Sequence, residues 1–236
     1  TIYLNAGSDV SIVNSLITDN ELRPVFSFSA NDANTLSVSH SNLDGGQDSV
    51  VTSDNLTINW GSGNIDMDPM FVDTANGNYH LLASSQLINA GHPDSTDSDG
   101  TRADIGVYPY LNTYSGPTWY ISAAEGNDTT ATGASTAPFK SIQSAINFAT
   151  TNGDSVTVAA GTYVENVNFR GRNIKVVGED RETTIINGNQ AGSVVTFDNN
   201  ESSTSLLNGF TILNGAGFRG GGVYYQGSNA TLDDVI

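Results

Sequence analysis

The feature that most constrains the fold is a recurrence of short, alternating apolar runs, each ended by Asn, Asp or Gly. Period-two alternation puts successive side chains on opposite faces, so the runs predict many short strands separated by turns. The runs that begin at Val10 and Leu36 lie 26 residues apart, which is about one turn of a parallel β-helix. The predicted strands are Val10–Ile17, Leu36–Leu43, Ser155–Ala159, Asn173–Val177, Thr184–Ile186, Val194–Phe197, Leu206–Leu213, Gly222–Tyr225 and Thr231–Ile236.

Composition agrees with a folded, strand-rich chain. The 236 residues are 37% hydrophobic and only 14% charged, which excludes a disordered acidic segment and a coiled coil. There are no cysteines, so disulfides, thiol catalysis and zinc–thiolate sites are excluded. A secreted protein without disulfides is more typical of the outside of bacterial or archaeal cells than of eukaryotic cells. We expect an extracellular or cell-surface location.

The charge balance restricts the partners. Eight basic against 25 acidic residues give a net charge of −17, of which −12 falls in residues 1–116. Nucleic acids and anionic membranes require clustered basic residues, so neither is an expected partner. No apolar run is long enough to span a bilayer, and we expect no membrane insertion.

One segment has helical periodicity. Phe139, Ile142, Ile146 and Ala149 recur at steps of three and four residues, after Pro138. This pattern predicts an amphipathic helix near residues 138–150. A helix directly before a series of strands is expected to cap the open end of a solenoid.

The second half carries the motifs of a known superfamily, in order along the chain: WYISAAEGND (119–128), APFKSIQSAI (137–146), GDSVTVAAGTYVENV (153–167) and IKVVG (174–178). Residues 118–236 resemble the N-terminal capped part of right-handed parallel β-helix proteins of the pectin-lyase-like superfamily, which includes pectin methylesterases. Glu165 lies within these motifs, and the resemblance implies that it bonds backbone groups or the cap helix.

Residues 1–112 resemble the C-terminal part of a bacterial secreted β-helix protein. The motifs are GNIDMDPMFVD (63–73), GNYHL (77–81), SSQLINAG (84–91) and DGTRADIGVY (99–108). The predicted fold is therefore all-β: two partial right-handed parallel β-helices, residues 1–114 and 115–236, joined by a short linker. The two ends of the chain also resemble each other at an offset of about 220 residues. This similarity is expected in a tandem array of β-helix units; alternatively, it reflects only the degenerate sequence pattern that all turns of a solenoid share.

No catalytic constellation can be assigned from the sequence. The resemblance places the catalytic carboxylates, glutamines and arginine of the methylesterases in later turns, and no position here matches them. Lyase chemistry needs a basic residue near a carboxylate, but Arg170, Arg172, Lys175 and Arg219 are more typical of exposed strand and turn positions. His40, His80 and His92 lack a metal-ligand spacing. Because no catalytic constellation is found, we do not expect this chain to be an enzyme.

The acidic loop from Asp94 to Asp104 is the best candidate for a metal site. Asp94, Asp97, Asp99 and Asp104 surround Gly100 and could turn several oxygens onto a calcium ion, although the EF-hand pattern is not met. The alternative is a solvated turn in which Arg102 neutralises Asp99 or Asp104. Asp66, Asp68 and Asp73 form a second acidic cluster.

The remaining patterns concern turns and sugar binding. Asn side chains are expected to stack in the turns of a solenoid, with Asn14 and Asp234 at corresponding places and Asn187, Asn189 and Asn214 after strands. Aromatic residues could stack on sugar rings: Trp60, Trp119, Tyr108, Tyr110, Tyr224 and Tyr225.

Two functions remain open. The first is an extracellular structural or adhesive module, one unit of a tandem array or filament whose partners are copies of itself or adjacent β-helix units. The second is a polysaccharide-active enzyme, or a carbohydrate-binding portion of one, with its catalytic turns outside this chain.

Overall fold

The computed structural model describes residues 1–20, 24–27, 32–51 and 55–236. In these residues the chain forms nineteen strands, one α-helix and two short 3₁₀ helices. They fall into two compact units: unit 1 consists of residues 1–81 and 86–111, and unit 2 of residues 82–85 and 112–236. The strands are mostly parallel and stack turn upon turn, about eight turns over the two units, which confirms the predicted β-solenoid.

Unit 1 contains three parallel ladders that correspond to the sides of its turns. The ladders are β1–β4, β2–β5–β7 and β3–β6. In the central ladder Val10 pairs with Leu36, and Leu36 pairs with Ile58, so the predicted spacing of 26 residues is one turn. The strands of unit 1 are β1 (Ile2–Leu4), β2 (Asp9–Val13), β3 (Leu16–Ile17), β4 (Val25–Ser27), β5 (Asn34–Ser39), β6 (Asn42–Leu43), β7 (Leu56–Trp60), β8 (Phe71–Asp73) and β9 (Asn78–Leu81).

The core of unit 1 follows from the alternation along each strand. In β5 every second residue is buried, and Leu36, Val38 and Leu43 are at most 1% exposed. Stacked aliphatic side chains inside the turns supply most of the hydrophobic stabilisation of such a fold. The 3₁₀ helices are Gln47–Ser49 and Thr74–Asn76; the second connects β8 to β9, which pair antiparallel.

Unit 2 repeats the arrangement over more turns. One register runs through four successive strands, from Ser155 to Lys175 to Leu206 to Thr231. The strands of unit 2 are β10 (Thr118–Ile121), β11 (Ser155–Val158), β12 (Gly161–Val164), β13 (Val167–Asn168), β14 (Lys175–Gly178), β15 (Thr184–Asn187), β16 (Val195–Phe197), β17 (Leu206–Leu213), β18 (Val223–Tyr225) and β19 (Thr231–Val235).

The helix α1 spans Ile142–Phe148 and is shorter than the predicted range. Phe139 forms a parallel bridge with Ile121 and donates its N–H to the carbonyl of Tyr120. This strand-like pairing keeps the residues after Pro138 out of the helix. The helix also exposes no polar face, because all seven of its residues are buried.

Aromatic rings pack beneath α1, which lies against β10, β11 and β13. Phe139 and Phe148 stack at a centroid distance of 5.2 Å, and Trp119 stacks on both of them. Trp119 is only 2% exposed. The structure therefore corrects its assignment as a sugar-stacking candidate: its ring forms part of the packing under the helix.

The corners between strands use the predicted turn residues. Asn14, Asn189, Asn214 and Asp234 all adopt positive φ, between 48° and 57°. Asn tolerates the left-handed conformation better than most residues do. Asn214 also donates from Nδ2 to Oδ1 of Asn187 at 3.1 Å, which is the expected side-chain bond between turns.

Candidate functional site

A candidate site is a groove of about 840 Å³ in unit 1. This volume lies in the range of ligand pockets in proteins. The described residues that line it come from the first turn, from the β8–β9 hairpin and from the segment after Ile105. They are Thr1, Ile2, Asn14–Asn20, Phe71, Tyr79, Leu81 and Ile105–Tyr108.

Two half-exposed tyrosines give the groove its chemical character. Tyr79 is 49% exposed and Tyr108 47% exposed. Phe71 contacts the Tyr79 ring edge-on at 5.3 Å, and His80 packs against the Tyr108 ring at 4.8 Å. Both rings are thus held by a neighbour while part of each remains accessible, as a stacking platform requires.

The polar side chains that line the groove are neutral except for one carboxylate. Asn14, Ser15, Thr18 and Asn20 supply amide and hydroxyl groups, and Asp19 supplies the carboxylate. No lysine or arginine is found among the described lining residues. An aromatic surface with neutral hydrogen-bonding groups suits an uncharged polar ligand better than an anion.

The acidic loop brings together two of the four predicted calcium ligands. The Asp97 Oδ2 atom accepts the N–H of Asp104 at 2.9 Å. The Asp104 carboxylate accepts the N–H groups of Asn89 and Tyr110, both at 2.8 Å. The side chain of Asp94 is 92% exposed and lies 3.9 Å from His92 Nδ1.

Local turns position the rest of the loop. Thr96 and Arg102 form an antiparallel bridge, and Asp99 Oδ1 accepts both the N–H and the hydroxyl of Thr101. The Arg102 guanidinium donates from Nε to the carbonyl of Gly91 at 2.6 Å. In the described part of the chain, no three His, Asp or Glu side chains meet in a metal-binding group. Calcium at Asp94, Asp97, Asp99 and Asp104 therefore stays a prediction.

Burial changes the ionisation of two carboxyl groups. It raises the pKa of Asp104 to about 7, against the opposing hydrogen bonds from Asn89 and Tyr110. It likewise raises the pKa of Glu165 to about 7. The Glu165 oxygens accept the N–H groups of Ile142 and Gln143 at 2.8 and 3.0 Å, which confirms the predicted bond to the cap helix.

The histidines do not share a site in the way that a ligand set would. His80 lies beside Tyr108, whereas His40 is 8% exposed and contacts the His92 ring at 4.7 Å. Burial lowers the pKa of His40, and the charges of His92 and Arg102 lower it further. His40 is thus a neutral packing residue near pH 7.

Sequence reasoning identified Tyr108 but missed Tyr79. Tyr79 lies within the GNYHL motif, where an aromatic side chain next to polar residues was the signal that could have found it; the structure places it exposed on the hairpin strand β9.

The chain can be compared with known proteins. The family described as "Protein of unknown function (DUF1565)" matches residues 124–235, a little under half of the chain. That family is often found in β-helix proteins, which agrees with the solenoid of unit 2. No curated protein and no solved structure matches the chain. The described residues contain no helix of sufficient length and hydrophobicity to cross a membrane.

Proposed function

We propose that this chain is a structural module of a bacterial or archaeal extracellular β-helix assembly, whose units join end to end through the strand edges of their outermost turns. The observation that carries the proposal is that β2 and β19, in the outermost turns, each pair with a neighbouring strand on one side only. Within the described residues, β2 pairs only with β5, and β19 pairs only with β17. An unpaired edge is a ready template for another strand.

The direction of the backbone groups identifies which amides are available. Thr231 donates its N–H to Ser205 in the turn beneath, and Thr35 donates to Ser8. Successive residues of a strand point their N–H groups to alternate sides. The N–H of Leu232 in β19 and that of Ser11 in β2 therefore point to the open sides.

Proline substitution at these two residues tests the proposal. Proline removes one N–H and its ring obstructs a neighbouring strand. We expect Leu232→Pro and Ser11→Pro to reduce the association of copies in sedimentation velocity and to shorten particles in electron micrographs. The matched controls Leu232→Ile and Ser11→Thr keep the N–H, and the first also keeps an apolar side chain, so both should leave association unchanged. Monomers at every concentration, or equal losses in the proline and control variants, would refute end-to-end joining.

A second candidate function is carbohydrate binding in the groove of unit 1. It is favoured by the accessible rings of Tyr79 and Tyr108 beside neutral amide and hydroxyl groups. The proposed ligand is a neutral polysaccharide, since the described lining offers a carboxylate but no cationic side chain to pair with uronates.

Affinity electrophoresis in gels that contain neutral or acidic polysaccharides tests this candidate. We expect retardation by a neutral polymer that Tyr79→Ala and Tyr108→Ala each reduce at least several-fold. Tyr3→Ala is the control, because Tyr3 is exposed in the same unit but does not line the groove. Equal mobility in all gels would reject carbohydrate binding.

A further inference from the structure

The peptide bond between Asp68 and Pro69 lies in an irregular, exposed segment of unit 1. It joins the only Asp-Pro pair in the sequence. Residues 66–70 form neither strand nor helix, and Asp68 and Met70 are both exposed. Solvent therefore reaches the residue on the N-terminal side of this bond.

The Asp68 side chain is folded back over the bond. Its Oδ1 atom accepts the N–H of Met70 at 2.8 Å, which closes a ring of atoms that contains the Asp68–Pro69 peptide bond. Asp side chains commonly form such local bonds with the backbone two residues further on. The carboxyl group is thus held on the side of the carbonyl carbon of its own residue, and a fixed geometry lowers the barrier to a reaction between two groups.

The chain on both sides of the bond is anchored. Asn42 is only 1% exposed and exchanges two hydrogen bonds with the backbone of Met67, one of 2.9 Å to its Oδ1 and one of 3.1 Å from its Nδ2. After the bond, Pro69 is buried and Phe71 of β8 pairs with Leu81 of β9. The anchors limit the movement of the segment, so the folded chain keeps the carboxyl group at this bond.

The backbone next to the bond is strained. Met70 has φ +54°, in the left-handed region that residues other than Gly and Asn rarely adopt. Pro69 cannot share this strain, because its ring fixes its own φ. A break on the N-terminal side of Pro69 would release both residues, so the strain favours the cleaved chain.

We propose that unit 1 cleaves its own chain between Asp68 and Pro69, with the Asp68 carboxyl group as nucleophile and water as co-reactant. A carboxylate oxygen of Asp68 forms a bond to the carbonyl carbon of the same residue, and the bond from this carbon to the Pro69 nitrogen breaks. The nitrogen takes a proton from the solvent and leaves as a secondary amine. Water then opens the cyclic anhydride, and Asp68 becomes a C-terminal residue with two carboxyl groups.

Proline is a suitable leaving group for this step. Its amide nitrogen is bonded to three carbon atoms and carries no hydrogen, so it accepts a proton more readily than the nitrogen of an ordinary peptide bond. The other prolines of the chain follow Arg, His, Tyr, Gly and Ala, none of which has a carboxyl group. The nucleophile and the leaving group therefore occur together at one bond only.

The two pieces stay together after cleavage. Asn14, which belongs to residues 1–68, accepts the N–H of His92 with its Oδ1 at 2.6 Å and the N–H of Gly106 with its carbonyl oxygen at 3.1 Å. His40 also packs against the ring of His92 at 4.7 Å. The product is therefore a nicked unit 1 rather than two separate proteins.

Intact-mass spectrometry of the full chain during incubation at pH 5 and pH 8 tests the proposal. We expect two new masses, for residues 1–68 and 69–236, with Pro69 as the new N-terminus. Cleavage should be faster at pH 5, because the leaving nitrogen must take a proton, and at least tenfold faster in the folded chain than in concentrated guanidinium chloride at the same pH. The nicked chain should elute with the intact chain in size-exclusion chromatography and separate into its pieces in denaturant.

Asp68→Glu, whose longer side chain must close a larger ring, and Pro69→Ala, which has a less basic leaving nitrogen, should each slow cleavage at least tenfold. Asp66→Glu is the matched control, because the Asp66 carboxylate accepts the N–H of Gly45 instead, and it should cleave at the rate of the parent.

An intact chain at both pH values would overturn the proposal. So would equal rates in the folded and denatured parent, or equal rates in Asp68→Glu and the parent. The comparison of folded and denatured parent requires no variant, so it decides the matter even where a substitution prevents folding.

Discussion

At the scale of single residues, two carboxyl groups of this acidic chain differ from ordinary surface carboxylates because they are buried. Burial raises the pKa of Asp104 and of Glu165 to about 7, although each accepts two backbone N–H groups. Desolvation therefore outweighs the hydrogen bonds at both positions. Each group binds a proton in the folded chain at a pH where the unfolded chain has released it.

This linkage predicts that acidification stabilises the protein. The stabilisation by Asp104 is complete below about pH 4 and is lost as the pH rises through about 7, by up to about 4 kcal/mol. His40 acts in the opposite direction below about pH 6.5, since its pKa is lowered. We expect the stability advantage of the parent over Asp104→Asn, measured by urea unfolding, to shrink from pH 5 to pH 8.

The control is Asp48→Asn, because Asp48 is exposed and, unlike Asp94, does not lie beside a histidine among the described contacts. Its difference from the parent should be the same at both pH values. Parallel pH profiles for the parent and Asp104→Asn would show that this carboxyl is ionised at neutral pH.

Gly63 predicts a second effect at the same scale. It has φ +73°, and a Cβ there would lie 2.3 Å from His40 Cδ2. Gly77 has φ +76° with nothing within 4 Å of an added Cβ. Gly77→Ala should cost only the left-handed conformation, about 1 kcal/mol, whereas Gly63→Ala should cost about 1 to 3 kcal/mol more through overpacking. Equal losses of Tm in the two variants would contradict the packing of His40 against Gly63.

Calcium at the acidic loop is a prediction for the same residues. A bound cation needs ionised carboxylates, so calcium should lower the pKa of Asp104 and raise Tm at neutral pH. We expect a chelator to lower Tm in the parent and to have no effect on Asp99→Asn combined with Asp97→Asn. A Tm that is indifferent to calcium and chelator would leave the loop as a hydrogen-bonded turn.

At the scale of elements, the cap helix depends on polar bonds as much as on its apolar residues. The Nδ2 group of Asn147 donates to the carbonyls of Ala83 and Ser85 at 2.9 and 2.8 Å. Its Oδ1 accepts from Gln143 and Arg170. The apolar spacing that predicted the helix describes one face only; the other face is buried because residues distant in sequence supply hydrogen-bond partners.

Removing this amide should therefore destabilise unit 2. We expect Asn147→Ala to cost about 3 kcal/mol, because it leaves buried polar groups unsatisfied. Asn199→Ala is the control: its side chain is exposed and bonds only its neighbour Asp198 among the described contacts, so the cost should stay within about 0.5 kcal/mol. Thermal unfolding compares the two; similar costs would mean that water replaces the Asn147 bonds.

At the scale of the whole molecule, the charge of −17 opposes the approach of copies. Screening shortens the range of this repulsion from about 30 Å at about 0.01 M salt to about 8 Å at about 0.15 M. If copies join through backbone edges and apolar side chains, association should strengthen as salt rises over this range. Sedimentation velocity at the two salt concentrations measures it, and dissociation by salt would instead indicate contacts between opposite charges.

The sequence by itself determined the solenoid, its spacing of 26 residues in unit 1 and the Asn residues at its corners, because alternation and positive φ are local requirements. The bond between Glu165 and the cap helix was predicted from the resemblance of its motif to a known superfamily. The tertiary structure alone decided the ends and full burial of α1, the pKa of Asp104, the burial of Trp119 and the groove that Tyr79 and Tyr108 both line. Each of these depends on which distant segments pack together, and a one-dimensional pattern of apolar and polar residues does not specify those contacts.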